Sequence, residues 1–158
     1  MSIIQQLYDV CVDNNVSIAT AESCTAGLLS SMITSMSGSS SFFKGGVISY
    51  QNNIKIDILG VCPSMINQKT EVSSEVVEQM AEGVRHKFVA DFSIATSGYA
   101  GPTGGSQANP IGTIFIAVSS KEKVVSKRFV LEGDRHSIVS QSVSLGIEFL
   151  VQELKKQY

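Results

Sequence analysis

The segment FSIATSGYAGPTGGSQANPIGTIFIAV, residues 92–118, places a loop rich in glycine and proline between two apolar runs. The flanking runs, 92–96 and 113–118, combine β-branched, aromatic and small residues, which is typical of buried strands. Residues 97–112 hold five of the chain's thirteen glycines and two of its three prolines. Glycine leaves backbone N–H groups open to a ligand, so the loop is either a long turn or a site for an anion such as phosphate.

Apolar spacing predicts the elements on either side of this loop. Five helices are expected: at 3–12, at 25–36, from a cap at Asn52 or Asn53 to Gly60, from a cap at Ser73 or Ser74 to Phe88, and a last one that opens at 133–135 and has its apolar positions between Val139 and Leu154. In the second of these, Leu28, Leu29, Met32, Ile33 and Met36 should form the inward stripe. Strands are expected at 16–21, 47–50, 91–97, 112–119 and 123–131.

The order of these elements predicts the fold class. Helices before, between and after short apolar strands are typical of a sheet that is covered on both faces. The last two strands are separated by too few residues for a crossover helix, so they should pair antiparallel and make the sheet mixed. We therefore expect an α/β fold, a three-layer α/β/α sandwich with a mixed β-sheet, formed by residues 1–158 as a single domain.

Composition excludes several classes of function. No apolar run approaches the roughly 20 residues of a membrane helix, and the start MSIIQQLYDV lacks the features of a signal peptide. Three cysteines without C-x-x-C spacing favour a reducing cytoplasm, and a net charge of −2 gives no sign of nucleic-acid binding. His86 and His136 show no metal-ligand spacing, so neither a metal nor a cofactor is expected.

TAESCTAG, residues 20–27, joins a predicted strand to a predicted helix. A hydroxyl at such a turn lies beside the free N–H groups of a helix start, where an oxyanion is stabilised. Ser23 or Thr25 is therefore either a nucleophile or only a helix cap, and this segment by itself favours the cap. Cys24 is a rival nucleophile, but no His lies near it in sequence, and it is better explained as a small buried side chain.

Two further segments contain residues whose types suggest chemistry. In SYQNNIK, residues 49–55, Tyr50 ends a strand and Lys55 lies in the first turn of a helix, where a cation opposes the helix dipole. A desolvated lysine can deprotonate a serine, although Lys55 alone can also be a solvated charge and Tyr50 a core aromatic. Asp134 can cap the last helix, and Arg135 is either solvated or a clamp for a phosphate.

Four motifs occur in one order over nearly the whole chain: TAESCTAG at 20–27, GGVISYQNNIK at 45–55, SGYAGPTGGSQANPIGT at 97–113 and EGDR at 132–135. Together they resemble the CinA C-terminal domain family, in its stand-alone form. The resemblance implies an amidohydrolase that converts nicotinamide mononucleotide to nicotinic acid mononucleotide and ammonia in pyridine-nucleotide recycling. The alternative is a non-catalytic or regulatory module that binds a pyridine nucleotide.

The resemblance also implies roles for single residues. Ser23 becomes the nucleophile, Lys55 its base and Tyr50 an assistant in proton transfer. Nucleotide binding is assigned to the surroundings of the nucleophile, the glycine loop and the last helix start: Glu22, Cys24, Thr25, Ser97, Gly98, Gly101, Gly104, Gly105, Ser106 and Arg135. The expected partners are the nucleotide substrate and, in a homo-oligomer, further copies of the chain. Ala26 stands where family members commonly have a second glycine.

Overall fold

Helices pack on both faces of one five-stranded sheet in a computed structural model that describes residues 1–158. The helices are α1 (Ile3–Asn14), α2 (Leu28–Ile33), α3 (Asn52–Leu59), α4 (Pro63–Lys69), α5 (Ser74–Phe88) and α6 (Arg135–Gln157). The strands are β1 (Ile18–Glu22), β2 (Phe43–Ile48), β3 (Phe92–Gly98), β4 (Thr113–Ser120) and β5 (Val124–Val130). No helix is both long enough and apolar enough to cross a membrane.

The strand order is β2-β1-β3-β4-β5. β1 pairs parallel with β2 and with β3, whereas β4 pairs antiparallel with both β3 and β5. The predicted α/β/α sandwich and its mixed sheet are therefore confirmed. The chain leaves β1 for β2 on one side and returns to β3 on the other, so a crevice opens at the carboxyl ends of β1 and β3, where ligands bind in such sheets.

One apolar core lies on each face of the sheet, between the strands and the helices that cover them. The face covered by α1, α2 and α6 presents branched side chains of the sheet, among them Ile18, Ile94 and Ile116. The face covered by α3, α4 and α5 presents mostly alanines, namely Ala19, Ala21, Ala95 and Ala117. These small side chains let α5 lie close to the sheet, because little volume stands between the two layers.

Helix α3 lies close to α5, and a glycine makes this approach possible. A Cβ on Gly83 of α5 would stand 1.9 Å from the carbonyl oxygen of Leu59, which ends α3. Only glycine fits there, since a contact of that length is a steric overlap. Gly60 then ends α3 in a left-handed conformation (φ 74°), as expected from the sequence. The close packing fixes the position of the whole helix, including Lys55.

The predicted helix at 25–36 is wrong at both ends. The helix spans only Leu28–Ile33, because Ala26 (φ 47°) and Gly27 (φ 99°) adopt left-handed conformations that no α-helix contains. The predicted inward stripe is also wrong in part, since Leu28 and Met32 are exposed. Residues 23–27 form a tight turn instead, and this turn presents Ser23.

Other boundaries differ in detail. β2 begins at Phe43, four residues before the predicted start, because two glycines within it interrupt the apolar pattern. Helix α4 was not predicted, and Pro63 begins it at the first helical position, where proline is well accommodated. The expected caps are confirmed for α5 and α6, where the side chains of Ser73 and Asp134 accept from backbone N–H groups.

Candidate active site

Ser23 lies in the turn that follows β1, and neighbouring strands hold it in place. Its backbone N–H donates to the carbonyl of Thr96 in β3 (3.0 Å), so the turn is joined to the centre of the sheet. The backbone N–H groups of the next two residues, Cys24 and Thr25, donate to no protein acceptor. A hydroxyl and two free backbone donors thus lie together at the carboxyl end of β1, which is the arrangement expected for attack on a carbonyl.

Glu22 contacts the helix start rather than a ligand space. Its carboxylate is buried and accepts from Thr25 Oγ1 (2.6 Å), Leu29 N (2.9 Å), Ser30 N (3.0 Å) and Ser30 Oγ (2.6 Å). Thr25 Oγ1 also lies 2.8 Å from Thr96 Oγ1. An anion at a helix N-terminus is stabilised by the free N–H groups and the dipole, so Glu22 needs no cation here. Glu22 and Thr25 were expected to bind substrate, but the structure places both beneath α2.

Lys55 is buried beside Ser23. The side chain of Lys55 extends from the first turn of α3, is 1% exposed, and donates from Nζ to Ser23 Oγ at 3.2 Å. Burial lowers the pKa of Lys55, because the ammonium form loses its hydration, while the negative charge of Glu71, and that of Cys24 once it ionises, act in the opposite direction. A lysine whose pKa is lowered can exist as the neutral amine, which is the form that takes a proton from a serine.

Cys24 is buried directly beside this pair. Burial raises the pKa of the Cys24 thiol to about 12, so the thiol is protonated near neutral pH. A thiol without its thiolate form is a weak nucleophile. Of the two rival nucleophiles that the sequence left open, the geometry therefore favours Ser23, which has a base within hydrogen-bond distance.

A pocket of about 440 Å³ opens over Ser23 and Lys55 at the carboxyl ends of the parallel strands. Eight of the residues expected from the sequence line it: Ser23, Cys24, Tyr50, Lys55, Ser97, Gly98, Gly101 and Arg135. The other glycine-loop residues, Gly104, Gly105 and Ser106, line a separate shallow depression together with Pro110 and Ile111. The structure thus brings the first half of the glycine loop to the pocket and places the second half outside it.

Arg135 closes one side of the pocket. Its Nη1 donates to the carbonyl of Gly101 (2.7 Å), and its Nη2 donates to the hydroxyl of Tyr50 (2.9 Å). Tyr50 is 55% exposed, and its hydroxyl bonds neither Ser23 nor Lys55. The start of α6, the glycine loop and the turn after β2 are therefore joined at the pocket mouth by one guanidinium group.

The pocket offers further donors from the backbone of the glycine loop. Ala100, Gly101 and Thr103 line the pocket, and the backbone N–H of none of them donates to a backbone acceptor. Unpaired N–H groups next to a guanidinium are a suitable environment for a phosphate. No group of three or more His, Cys, Asp or Glu side chains is arranged so that it could hold a metal ion.

Seven pocket residues were not singled out from the sequence: Gln51, Asn52, Glu71, Val72, Tyr99, Ala100 and Thr103. All but Glu71 and Val72 lie inside the quoted motifs, although no role was assigned to them individually. Glu71 and Val72 are different, because they lie in the turn between α4 and α5, and α4 was not predicted. The predicted cap at Ser73 was the available signal, since residues just before the cap of a crossover helix lie in a loop at a sheet edge.

The fold and the pocket define an α/β sandwich with a buried serine–lysine pair at the carboxyl ends of its parallel strands. Comparison with known protein families identifies the family of the chain. The chain belongs to the CinA C-terminal domain family, whose model matches residues 1–154. This result confirms the family resemblance inferred from the four motifs.

Relatives of known sequence and structure agree with this assignment. The chain is 44% identical over 144 residues to a CinA-like protein of Fervidobacterium nodosum, covering 91% of this chain and 35% of the relative. It thus spans about a third of the length of such curated relatives. A crystal structure of a competence-damaged protein (CinA) superfamily protein from Enterobacter cloacae matches with a TM-score of 0.92 and 34% identity, covering 96% of this chain and 90% of that one. The competence/damage-inducible protein CihA of Agrobacterium tumefaciens matches with a TM-score of 0.90 and 30% identity, covering 98% and 99%.

Proposed function

We propose that this chain is an amidohydrolase that converts nicotinamide mononucleotide to nicotinic acid mononucleotide and ammonia, with Ser23 as nucleophile and Lys55 as general base. The observation that supports the proposal most strongly is the 3.2 Å contact between Ser23 Oγ and the Nζ of a fully buried lysine. Burial favours the neutral amine, and a neutral amine in contact with a hydroxyl is a base in position to act.

The reaction follows from this contact. Neutral Lys55 takes the proton of Ser23, and Oγ attacks the carboxamide carbon to give a tetrahedral oxyanion. We assign the stabilisation of that oxyanion to the backbone N–H of Cys24, a pocket residue whose N–H donates to no backbone acceptor. The Lys55 ammonium then gives its proton to the departing nitrogen, which leaves as ammonia and gives an ester on Ser23. Lys55 then deprotonates a water molecule, which attacks the ester; as the ester bond breaks, Lys55 returns the proton to Ser23 Oγ, and the carboxylic acid product loses its own proton to solvent.

The nucleotide part of the substrate fits the remaining groups of the pocket. A volume of about 440 Å³ is within the range of small-molecule sites. We assign the phosphate to Arg135 and to the free N–H groups of Ala100 and Gly101, because charged donors and bare backbone donors are what a phosphate requires. Tyr50 then orients Arg135 and the substrate, and this assignment replaces the expected role in proton transfer.

Release of ammonia from nicotinamide mononucleotide by the purified protein tests the proposal. Ser23→Ala should abolish release and retain nucleotide binding, because it removes only the attacking oxygen. Cys24→Ala is the matched control, since it changes the next side chain in the same turn, and it should keep most of the activity. Binding without ammonia release in the unaltered protein would instead support the non-catalytic, regulatory module.

The wider setting of the proposal is also testable. We place the reaction in the cytoplasm, where pyridine nucleotides are recycled, and we expect the chain to form a homo-oligomer. Cell fractionation measures the first point, and sedimentation velocity of the purified protein measures the second.

A further inference from the structure

Glu71 is the one carboxylate that lines the pocket. It belongs to the turn between α4 and α5, and the turn is held firmly on both sides of it. The backbone carbonyl of Glu71 accepts from Ser97 Oγ (2.7 Å), and the next residue, Val72, is buried in the core beneath α5. The backbone therefore keeps Glu71 at the pocket wall, without a hydrogen bond or salt bridge from its carboxylate.

The side chain of Glu71 has no partner in the protein. It takes part in no hydrogen bond and in no salt bridge, although two cationic side chains line the same pocket. Arg135 already donates to Gly101 and Tyr50. Lys55 donates to Ser23, and its pKa, which burial lowers, is moved back towards its ordinary value by the charge of Glu71, so the two groups are electrostatically close.

The proposed reaction changes this balance of charges. Lys55 acts as a base only when it is neutral, and in that state the one remaining cation of the pocket is Arg135, which donates to Gly101 and Tyr50 and not to Glu71. A half-buried carboxylate without a counter-charge is unfavourable, so it attracts a cationic group of a ligand. The carboxamide of nicotinamide mononucleotide is attached to a ring whose nitrogen bears the ribose and a formal positive charge.

We propose that Glu71 selects substrates whose carboxamide is carried on a cationic ring, an inference that rests on the proposed function. The carboxylate stabilises the bound pyridinium and thereby discriminates against neutral carboxamides of the same shape. It also disfavours the product, because hydrolysis places a new carboxylate on the ring close to Glu71, and two like charges repel each other. Glu71 is thus a specificity-determining residue that favours both substrate binding and product release.

A pair of ligands that differ mainly in ring charge tests the proposal. Nicotinamide mononucleotide and its 1,4-dihydro reduced form share the phosphate, ribose and carboxamide, but only the oxidised form has a cationic ring. Their Kd values are measured by calorimetry in the Ser23→Ala protein, which binds without turnover. Adding Glu71→Gln should reduce the preference for the oxidised form about tenfold, through weaker binding of that form alone. Glu132→Gln, which removes an exposed carboxylate outside the pocket, should leave the preference unchanged.

The outcomes separate this inference from the proposed function. Equal weakening of both nucleotides by Glu71→Gln would mean that the carboxylate binds the ribose hydroxyls, which overturns the proposal. An unchanged preference overturns it as well. If the unaltered protein releases ammonia but Glu71→Gln does not reduce the preference for the oxidised nucleotide, only this inference fails. If the unaltered protein releases no ammonia, the amidohydrolase proposal fails, and the Kd ratio still reports on ring charge.

Discussion

Glu22 and Ser23 are neighbours in the chain, yet their side chains point to opposite sides of the turn after β1. The Glu22 carboxylate accepts from the N–H groups of Leu29 and Ser30 under α2, whereas the Ser23 hydroxyl faces the pocket and contacts Lys55. The carboxylate thus takes up the free donors of the helix start. The backbone donors of Cys24 and Thr25 are left without a backbone acceptor, and Cys24 lines the pocket beside Ser23.

Glu22→Gln should lower the free energy of unfolding by about 2 to 3 kcal/mol, because charge-assisted hydrogen bonds are replaced by an amide that faces N–H donors with its own NH₂ group. Urea denaturation at neutral pH measures the change. Ser30→Ala removes only the hydroxyl contact and should have a smaller effect. Equal stability of Glu22→Gln and the unaltered protein would contradict a structural role for this carboxylate.

Lys55 should control the pH dependence of turnover. Since burial lowers its pKa from the ordinary value, kcat/KM should rise with pH until Lys55 is neutral and then level off. Lys55→Arg keeps a cation that cannot deprotonate and should reduce the rate roughly 100- to 10,000-fold. The pH–rate profiles of both proteins measure this effect. A kcat/KM that does not change with pH, or a Lys55→Arg variant that remains active, would rule out Lys55 as the general base.

Burial of Lys55 should lower the free energy of unfolding at neutral pH. In the unfolded chain Lys55 is protonated up to its ordinary pKa of 10.5, whereas the folded state disfavours that proton, so stability rises with pH between the lowered pKa and 10.5. Lys55→Met should therefore be more stable by about 1 to 2 kcal/mol at neutral pH, since no ammonium is desolvated. The gain should shrink as the pH approaches 10. A variant that is less stable at pH 7 would show that burial of the charge is compensated.

Arg135→Ala should raise KM for nicotinamide mononucleotide more than it lowers kcat, with a loss in kcat/KM equivalent to about 1.5 to 3 kcal/mol. The reason is that a charged donor to the phosphate is removed, while Ser23 and Lys55 are untouched. Free nicotinamide has no phosphate and serves as the control substrate, whose slow hydrolysis should not change. An unaltered KM for the nucleotide would place the phosphate elsewhere.

Tyr50→Phe distinguishes two roles of its hydroxyl. The hydroxyl bonds Arg135, so its removal should raise KM by the equivalent of about 0.5 to 1.5 kcal/mol and leave kcat nearly unchanged. Steady-state kinetics measures both constants. A large fall in kcat at constant KM would restore the role in proton transfer that the sequence resemblance implied.

The periodicity of the sequence was sufficient for the sheet and its long helices, because α5 and α6 each bury one regular apolar face. It failed at the turn after β1, where the left-handed conformations of Ala26 and Gly27 delay the start of a helix that the apolar spacing predicts from residue 25. It also failed at α4, where Pro63 is both a stop signal and a good first helical residue.

The residues of the pocket could be predicted only in part. Ser23 and Lys55 lie in motifs, whereas their contact joins residues 32 positions apart. Such a contact depends on the packing of α3 against α5, which local patterns do not encode. Glu71 reaches the pocket through the same tertiary arrangement, and its surrounding sequence gives no chemical signal of its own.

The start of α1 and the end of α6 lie next to each other, since Lys155 Nζ donates to Gln6 Oε1 (2.6 Å). The hairpin turn between β4 and β5 and the pocket lie at opposite ends of the strands, because Ser120 pairs with Phe92 at the amino end of β3 and the pocket lies at its carboxyl end. A circularly permuted chain, with its ends joined by a short flexible linker and opened between Lys121 and Glu122, should therefore fold with the pocket intact. The order in which the elements are synthesised would change, and the crevice between β1 and β3 would not.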